Sequence, residues 1–350
     1  MKLSPEIFRC AIDHVVEYGD TDIFPFPFEL KFLDAEKEKA IDFLSRLDLT
    51  QYDPMSLLEA LVPKSKFGFR LAHQPFPIDT VIYTALVLSV FDAVEAGRDP
   101  KEHNRAFSYR KLQGLDPSLF APDRNYRHWL NVIEAKVFSK EYSHVIRTDI
   151  SDYYSRIYRH RLENILDSLS GETKIVKKIE KFIAVWRSNQ SFGLPVGSNA
   201  SRLLAEAALN DTDMGLLSEG YDHTRYVDDM LVFVKHGQDP YAALGYLAKH
   251  LSQNEGLALN NQKTKILSWE QFLAPIGTPE AGDDEAKEEF ATEKLFWAAY
   301  TKDDGDPEAL TALCLKTFPK NSNTFWKSRI GTWDKSASFY MRCASFETLK

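Results

Sequence analysis

Short apolar runs and amphipathic stretches alternate along this chain in an order that predicts mixed sheet and helix. Residues 78–96 are the best early helix candidate, and residues 129–138 give another. Residues 144–150, His-Val-Ile-Arg-Thr-Asp-Ile, read as a strand carrying Asp149 near its end. Residues 151–170 then read as a helix with Tyr154, Ile157, Leu162 and Leu166 on its apolar positions. A loop with Gly193, Pro195 and Gly197 leads into a further apolar-periodic segment, 202–217. Two strand-prone runs, 224–226 and 230–234, flank a tight turn and read as a hairpin. Asp239-Pro240 is a helix start and Gly256 its stop, with strands at 257–259 and 264–269 after it. The order strand, helix, helix, hairpin, helix, strands predicts an α+β fold, an antiparallel sheet with helices on one face.

Around this centre, residues 55–275, lie an N-terminal extension, 1–54, and a C-terminal region, 276–350, that reads as helices with Gly/Asp breaks. The extension is helical in pieces, interrupted by Phe24-Pro25-Phe26-Pro27-Phe28, where the X-Pro steps favour extended backbone. Exposed, these phenylalanines would be a surface for a partner protein or a second subunit; packing against the core is the preferred reading.

A length of 350 with 44% hydrophobic residues supplies a core divided among two or three packed parts. The apolar run 81–94 is interrupted by Asp92 and too short to cross a bilayer, and no basic-then-apolar leader opens the chain, so neither membrane nor secretion is expected. Cys10, Cys314 and Cys343 lack metal-ligand spacing and fit a reducing cytoplasm. The net charge of −8 is local: residues 280–308 hold 11 acids against three lysines, and read as a solvated surface. The rest is neutral overall and leaves room for a basic groove built from Lys64, Lys66, Arg70 and Arg110.

The chemistry concentrates at Tyr226-Val227-Asp228-Asp229. Adjacent carboxylates on a hairpin tip repel unless a cation neutralises them, and hard oxygen ligands favour Mg²⁺. An acidic surface turn looks the same in isolation. Asp149, placed beside the hairpin in one sheet, would supply a third acid, enough for the two metals that clamp an in-line displacement at phosphorus.

The order Asp149 strand, 193–198 loop and helix, then Tyr226 to Asp229 hairpin resembles the palm of a reverse transcriptase. Upstream, Val62-Pro63-Lys64 with Phe67-Gly68-Phe69-Arg70 resembles the family's basic fingers segment, and Arg105-Ala106-Phe107-Ser108-Tyr109-Arg110 a fingers-palm element of bacterial members. Downstream, Gly256-Leu257-Ala258-Leu259-Asn260 and Lys263-Thr264-Lys265 resemble the next palm motif. The resemblance covers residues 55–270. It implies a right-hand polymerase, with fingers and palm in 55–275 and a thumb-like 276–350.

By that resemblance, Asp149 and Asp228 bridge two Mg²⁺ ions, or Mn²⁺ in their place, with the Ile150 carbonyl as a further ligand and Asp229 in support. Lys64 and Arg70 hold the incoming triphosphate, and Pro195 and Gly197 belong to the nucleotide-binding loop. Tyr154 is the aromatic gate that leaves no space for a 2′-hydroxyl, and Lys263, or neighbouring Lys265, protonates pyrophosphate. Val196 departs from the glutamine of many retroviral members, a change also seen in bacterial ones.

Residues 147–154 and 193–198 with Ala205-Glu206 look most like the bacterial phage-defence and abortive-infection enzymes. The implied substrates and partners are dNTPs, an RNA template, a dedicated noncoding RNA being one form of it, and a DNA product. Template-independent, protein-primed synthesis and a retron or group II intron enzyme are alternatives. So is a non-catalytic assembly scaffold, although all three acids are present. Tyr154 and the Tyr-Val-Asp-Asp form argue against an RNA-dependent RNA polymerase.

Overall fold

The computed structural model describes residues 1–19, 24, 26–63, 69–137, 141–188 and 190–273. The described residues from Met1 to Gln271 belong to one compact unit. The expected helical region 276–350, with its acidic segment, Cys314 and Cys343, lies outside the described residues, as do Lys64 and Lys66.

Ser4 caps helix α1 (Pro5–Tyr18) by accepting the Ile7 N–H, and α2 (Phe28–Ala35) and α3 (Lys37–Arg46) fold back against it. The phenylalanine stretch divides. Phe24 packs against Ala72 and Val196, but Phe26 and Phe28 are exposed, which corrects the expected core contact. Leu30 and Leu33 are the buried face of α2, and Phe28 lies two residues, roughly 200°, around the helix from Leu30.

Strands β1 (Leu58–Pro63) and β2 (Phe69–Gln74) form a separate antiparallel pair. Helix α4 (Pro77–Ala96) follows, apolar around its whole circumference, and then α5 (Tyr126–Val137). By length and composition α4 could cross a membrane, yet most of it is buried inside the protein, as a central core helix is.

Strand β3 (Tyr142–Asp149) leads into α6 (Tyr153–Arg156) and α7 (Arg159–Ser170). The single helix expected over 151–170 breaks at Ile157, because Tyr158 bridges Phe192 and the Arg159 N–H donates to Ser191 O at 3.0 Å. Helix α8 (Thr173–Trp186) was absent from the expected order, although Val176, Ile179, Phe182, Ile183 and Trp186 mark its buried stripe. The expected segment 202–217 is two helices, α9 (Asn199–Ala208) and α10 (Asn210–Ser218), meeting at Leu209.

Strands β4 (Asp222–Tyr226) and β5 (Asp229–Lys235) form the hairpin, and α11 (Pro240–His250) starts where Asp239 accepts the Tyr241 N–H at 2.9 Å. A π-turn, Leu251–Glu255, prolongs α11 until Gly256 at φ 68° ends it in the left-handed region. The strand expected at 257–259 reduces to one bridge, Leu259 with Ile150, because β3 has by then run out. Strand β6 (Lys265–Ser268) completes a sheet of order β4-β5-β3-β6, antiparallel throughout among the described residues.

Alternation sorts the two faces of this sheet. Ile146, Met230, Val232 and Val234 face the main helical core with α4, α7, α8, α9 and α11. Asp149, Arg147, Leu231 and Phe233 share the other face by register. Part of that face is covered by α5, whose Trp129 donates to Thr224 Oγ1 at 3.0 Å and whose Lys136 lies 4.9 Å from the Phe233 ring centroid.

Arg225 on β4 points into the helical side and is 0% exposed. Its Nε and Nη2 each donate to Asp213 of α10 at 2.8 Å, and its Nη1 donates to Glu206 of α9 at 2.8 Å. Burial opposes both charges, but Arg225 holds the Asp213 carboxyl below the usual carboxylate range, and Asp213 and Glu206 keep Arg225 protonated. Arg225→Met is expected to cost about 3–5 kcal/mol, because it leaves the buried Asp213 carboxylate with the His223 ring at 3.1 Å in place of a guanidinium, and takes a cation from the buried Glu206. Urea unfolding with near-wild-type stability would contradict this.

Candidate active site

The register Tyr226 opposite Asp229 leaves a two-residue loop, Val227-Asp228. Val227 sits at φ 57°, a region that β-branched residues rarely adopt. Asp228 is therefore fixed at the hairpin tip, partly buried, and Asp229 opens β5. Strand β3 pairs with β5 so that Asp149 stands directly opposite Asp229. The juxtaposition of three acids expected from sequence is thus present.

Electrostatics at these acids are unfavourable. Burial, the charges of Asp149 and Asp229, and a hydrogen bond to Asp149 push the Asp228 carboxyl up to about 7. Lys263 Nζ lies 2.8 Å from Asp149 Oδ2. Burial works against its charge, but Asp149 first, then Asp229 and Asp228, raise its pKa and keep it protonated. The Asn260 N–H donates to the Asp149 carbonyl at 2.7 Å, pinning the next palm segment to the end of β3. The Ile150 side chain is buried in the core beside this point. Among the described residues no group of acids, histidines and cysteines forms a ready-made metal cage. The donor set still fits divalent ions: three carboxylates whose mutual repulsion raises one of them are what a hard cation relieves.

The 193–198 loop is held from two sides. Its Leu194 N–H donates to the Tyr154 carbonyl at 2.8 Å, and the Val196 side chain packs with Ala72 and the half-buried Tyr154. Val196 N–H donates to His73 Nδ1 at 3.0 Å, and the His73 N–H returns a bond to the Val196 carbonyl at 3.2 Å. Gly193, at φ 96°, admits no side chain: a Cβ would meet Arg187 Nε at 2.9 Å and the Ser155 carbonyl at 3.2 Å. Pro195 is buried and Gly197 half-buried at φ 125°.

The expected basic groove is corrected in part. Arg110 is buried, with Nε donating to Glu95 at 2.6 Å and Nη1 to the Asp99 carbonyl at 2.9 Å, so it serves the interior. Arg70 is exposed on β2 opposite Val62, and Lys64 lies outside the described residues. Sequence reasoning did not single out the aromatic shelf around Tyr226, where Tyr126 lies at 4.9 Å, Trp129 at 6.0 Å and Tyr109 at 6.5 Å between ring centroids. Nor did it find Arg225, whose signal was a charge at a core-facing strand position.

The family model described as reverse transcriptase (RNA-dependent DNA polymerase) matches residues 85–296, more than half of the chain. The chain belongs to the reverse transcriptase family. The matched span holds all three acids, Tyr154, the 193–198 loop and Lys263; Lys64 and Arg70 precede it. Among solved structures, this reverse transcriptase chain is similar to apo telomerase from Candida tropicalis, with 11% identity and a TM-score of 0.44 over 68% of this chain and 49% of that one. It is also similar to telomerase from Candida albicans in complex with a TWJ fragment of telomeric RNA, with 11% identity and a TM-score of 0.44 over 91% and 65%. The chain therefore spans about half to two thirds of the length of these structures. The comparison with curated proteins finds no match.

The His73 bonds give the site a pH signature. Burial, then the Arg187 charge, lowers the His73 pKa to about 4, and burial lowers that of His14 to about 4 despite its bond to the Pro117 carbonyl. Both are depressed below the unfolded value of about 6.5, so their stabilising contribution is complete above that pH and is lost as the pH falls toward 4. Unfolding free energy should fall between pH 6.5 and 4.5, and fall less steeply in His73→Gln. An unchanged slope in that variant would refute the assignment.

Proposed function

We propose that this reverse transcriptase is an RNA-directed DNA polymerase that joins deoxynucleotides to a primer 3′-hydroxyl, with Asp149, Asp228 and Asp229 as its catalytic acids. The observation that carries this reading is the β3–β5 register, which sets Asp149 opposite Asp229 with Asp228 in the adjoining turn. Held by these carboxylates and the Ile150 carbonyl, two divalent ions, Mg²⁺ or Mn²⁺, would acidify the attacking hydroxyl and stabilise charge on the leaving pyrophosphate. Lys263, protonated and 2.8 Å from Asp149, would give a proton to that leaving group. The Tyr154 ring, packed on Val196 and Ala72, forms a firm wall against a 2′-hydroxyl. Arg70 on β2, together with Lys64, would bind the triphosphate, with the Pro195 to Gly197 loop against the nucleotide.

The biological setting we propose is bacterial anti-phage defence in the cytoplasm, with a noncoding RNA as template. Its support is the resemblance of residues 147–154 and 193–198 with Ala205-Glu206 to phage-defence enzymes. Purified protein with its co-purifying RNA is expected to incorporate labelled dNTPs in Mg²⁺, and Asp228→Asn to reduce incorporation to background. Incorporation that survives RNase would replace RNA-directed with template-independent synthesis, and full activity in Asp228→Asn would sink the catalytic assignment.

Tyr154→Val should open the sugar site. Discrimination between dNTP and NTP, measured as the ratio of kcat/KM, should drop by about 10-fold or more. An unchanged ratio would remove Tyr154 from that role.

A further inference from the structure

We propose that Ser108, Glu206 and Arg225 form a positioning device that holds the Val227-Asp228 turn in its left-handed conformation and so aims Asp228. The proposal rests on Asp228 being a catalytic acid, as argued above. All three residues are buried: Ser108 and Arg225 are 0% exposed and Glu206 1%.

The chain brings Ser108 there by a parallel pairing. The Arg225 N–H donates to the Arg105 carbonyl at 2.7 Å, and the Phe107 N–H donates to the Arg225 carbonyl at 3.1 Å, so Ala106 lies beside Arg225. Two residues onward on each side, Ser108 meets Val227. Its Oγ accepts the Val227 N–H at 2.7 Å and its hydroxyl donates to Glu206 Oε1. On the other side of the same residue, Arg225 Nη1 donates to the Val227 carbonyl at 3.2 Å. The turn is thus gripped at both its N–H and its C=O.

Glu206 organises the grip. Its Oε2 accepts from Arg225 Nη1 at 2.8 Å and from Arg98 Nη2 at 2.7 Å, while Oε1 takes the single Ser108 proton. With that proton committed to a carboxylate, a lone pair of Oγ is left toward Val227, and the charge on Glu206 strengthens the relay. Val227 needs such restraint, because a β-branched residue at φ 57° relaxes to negative φ when it is let go. Any such relaxation turns the next residue, Asp228, away from Asp149. Glu206 also belongs to α9, the helix that the 193–198 loop enters, so the loop, the 105–110 segment and the acidic turn share one anchor.

The test compares wild type with Ser108→Ala and with Ser108→Thr, which keeps the hydroxyl. Amide exchange at Val227 in metal-free protein, Mn²⁺ affinity by electron paramagnetic resonance, thermal stability, and steady-state kcat and KM for dNTP are measured on each. In Ser108→Ala, Val227 exchange should quicken by about 10-fold while core amides keep their protection. Mn²⁺ affinity should weaken by about 10-fold and kcat fall by about 10- to 100-fold, with KM for dNTP within about 2-fold of wild type. Ser108→Thr should recover most of each change. Wild-type Val227 exchange and Mn²⁺ affinity in Ser108→Ala would overturn the proposal, as would losses that merely track the folded fraction. Wild type that neither binds Mn²⁺ nor incorporates dNTP would instead overturn the catalytic reading itself, and is distinguished because the defect is then present before any substitution.

Discussion

The antiparallel register between β3 and β5 is the constraint on which the site depends, because it alone sets Asp149 against Asp229. Like charges directly opposite each other weaken a sheet. They are tolerated here because the same register pairs Ile146 with Val232 and Thr148 with Met230 on the helical side, and Val145 with Phe233 on the other. A slip of one residue would turn these apolar side chains to the wrong faces, so packing holds the acids in a place they would not choose.

The cost is carried locally by Asp228, raised to about 7 by burial and its acidic neighbours, and is relieved in part by Lys263 on Asp149. The opposite side of the hairpin is arranged the other way. There Arg225, Asp213, Glu206 and Arg98 lie buried, with the charges paired. One strand thus separates an acidic edge with excess negative charge from a buried net in which each charge has a partner. Such nets contribute little to overall stability against apolar packing, but breaking one is costly, which suits a position that must not shift.

The β1–β2 hairpin and the 193–198 loop are linked by His73, a neutral imidazole that accepts from Val196 through Nδ1. Val196, where many retroviral relatives carry glutamine, uses its side chain to pack on Ala72 and Tyr154. Its backbone supplies the polar contacts. An apolar residue at this point therefore has a structural use in this chain, seating the hairpin against the loop.

Sequence by itself determined the hairpin tip at Asp228, the strand-end position of Asp149 and the helix start at Asp239, because each is written in short-range periodicity or in local capping chemistry. Tertiary structure decided the rest. The helix over 151–170 breaks because residues 191 and 192 pair with the backbone of Tyr158 and Arg159, and the strand expected at 257–259 has only the end of β3 to pair with. Arg110 reads as a groove residue until Glu95 is brought to it, and Phe28 as a core residue until α2 turns its other face inward. Nothing local to Arg225 or Ser108 names the groups they bind. The acids that Arg225 and Ser108 bind, and the Val227 N–H that Ser108 accepts, stand 12 to 119 positions away in the chain, and only the assembled fold makes them neighbours.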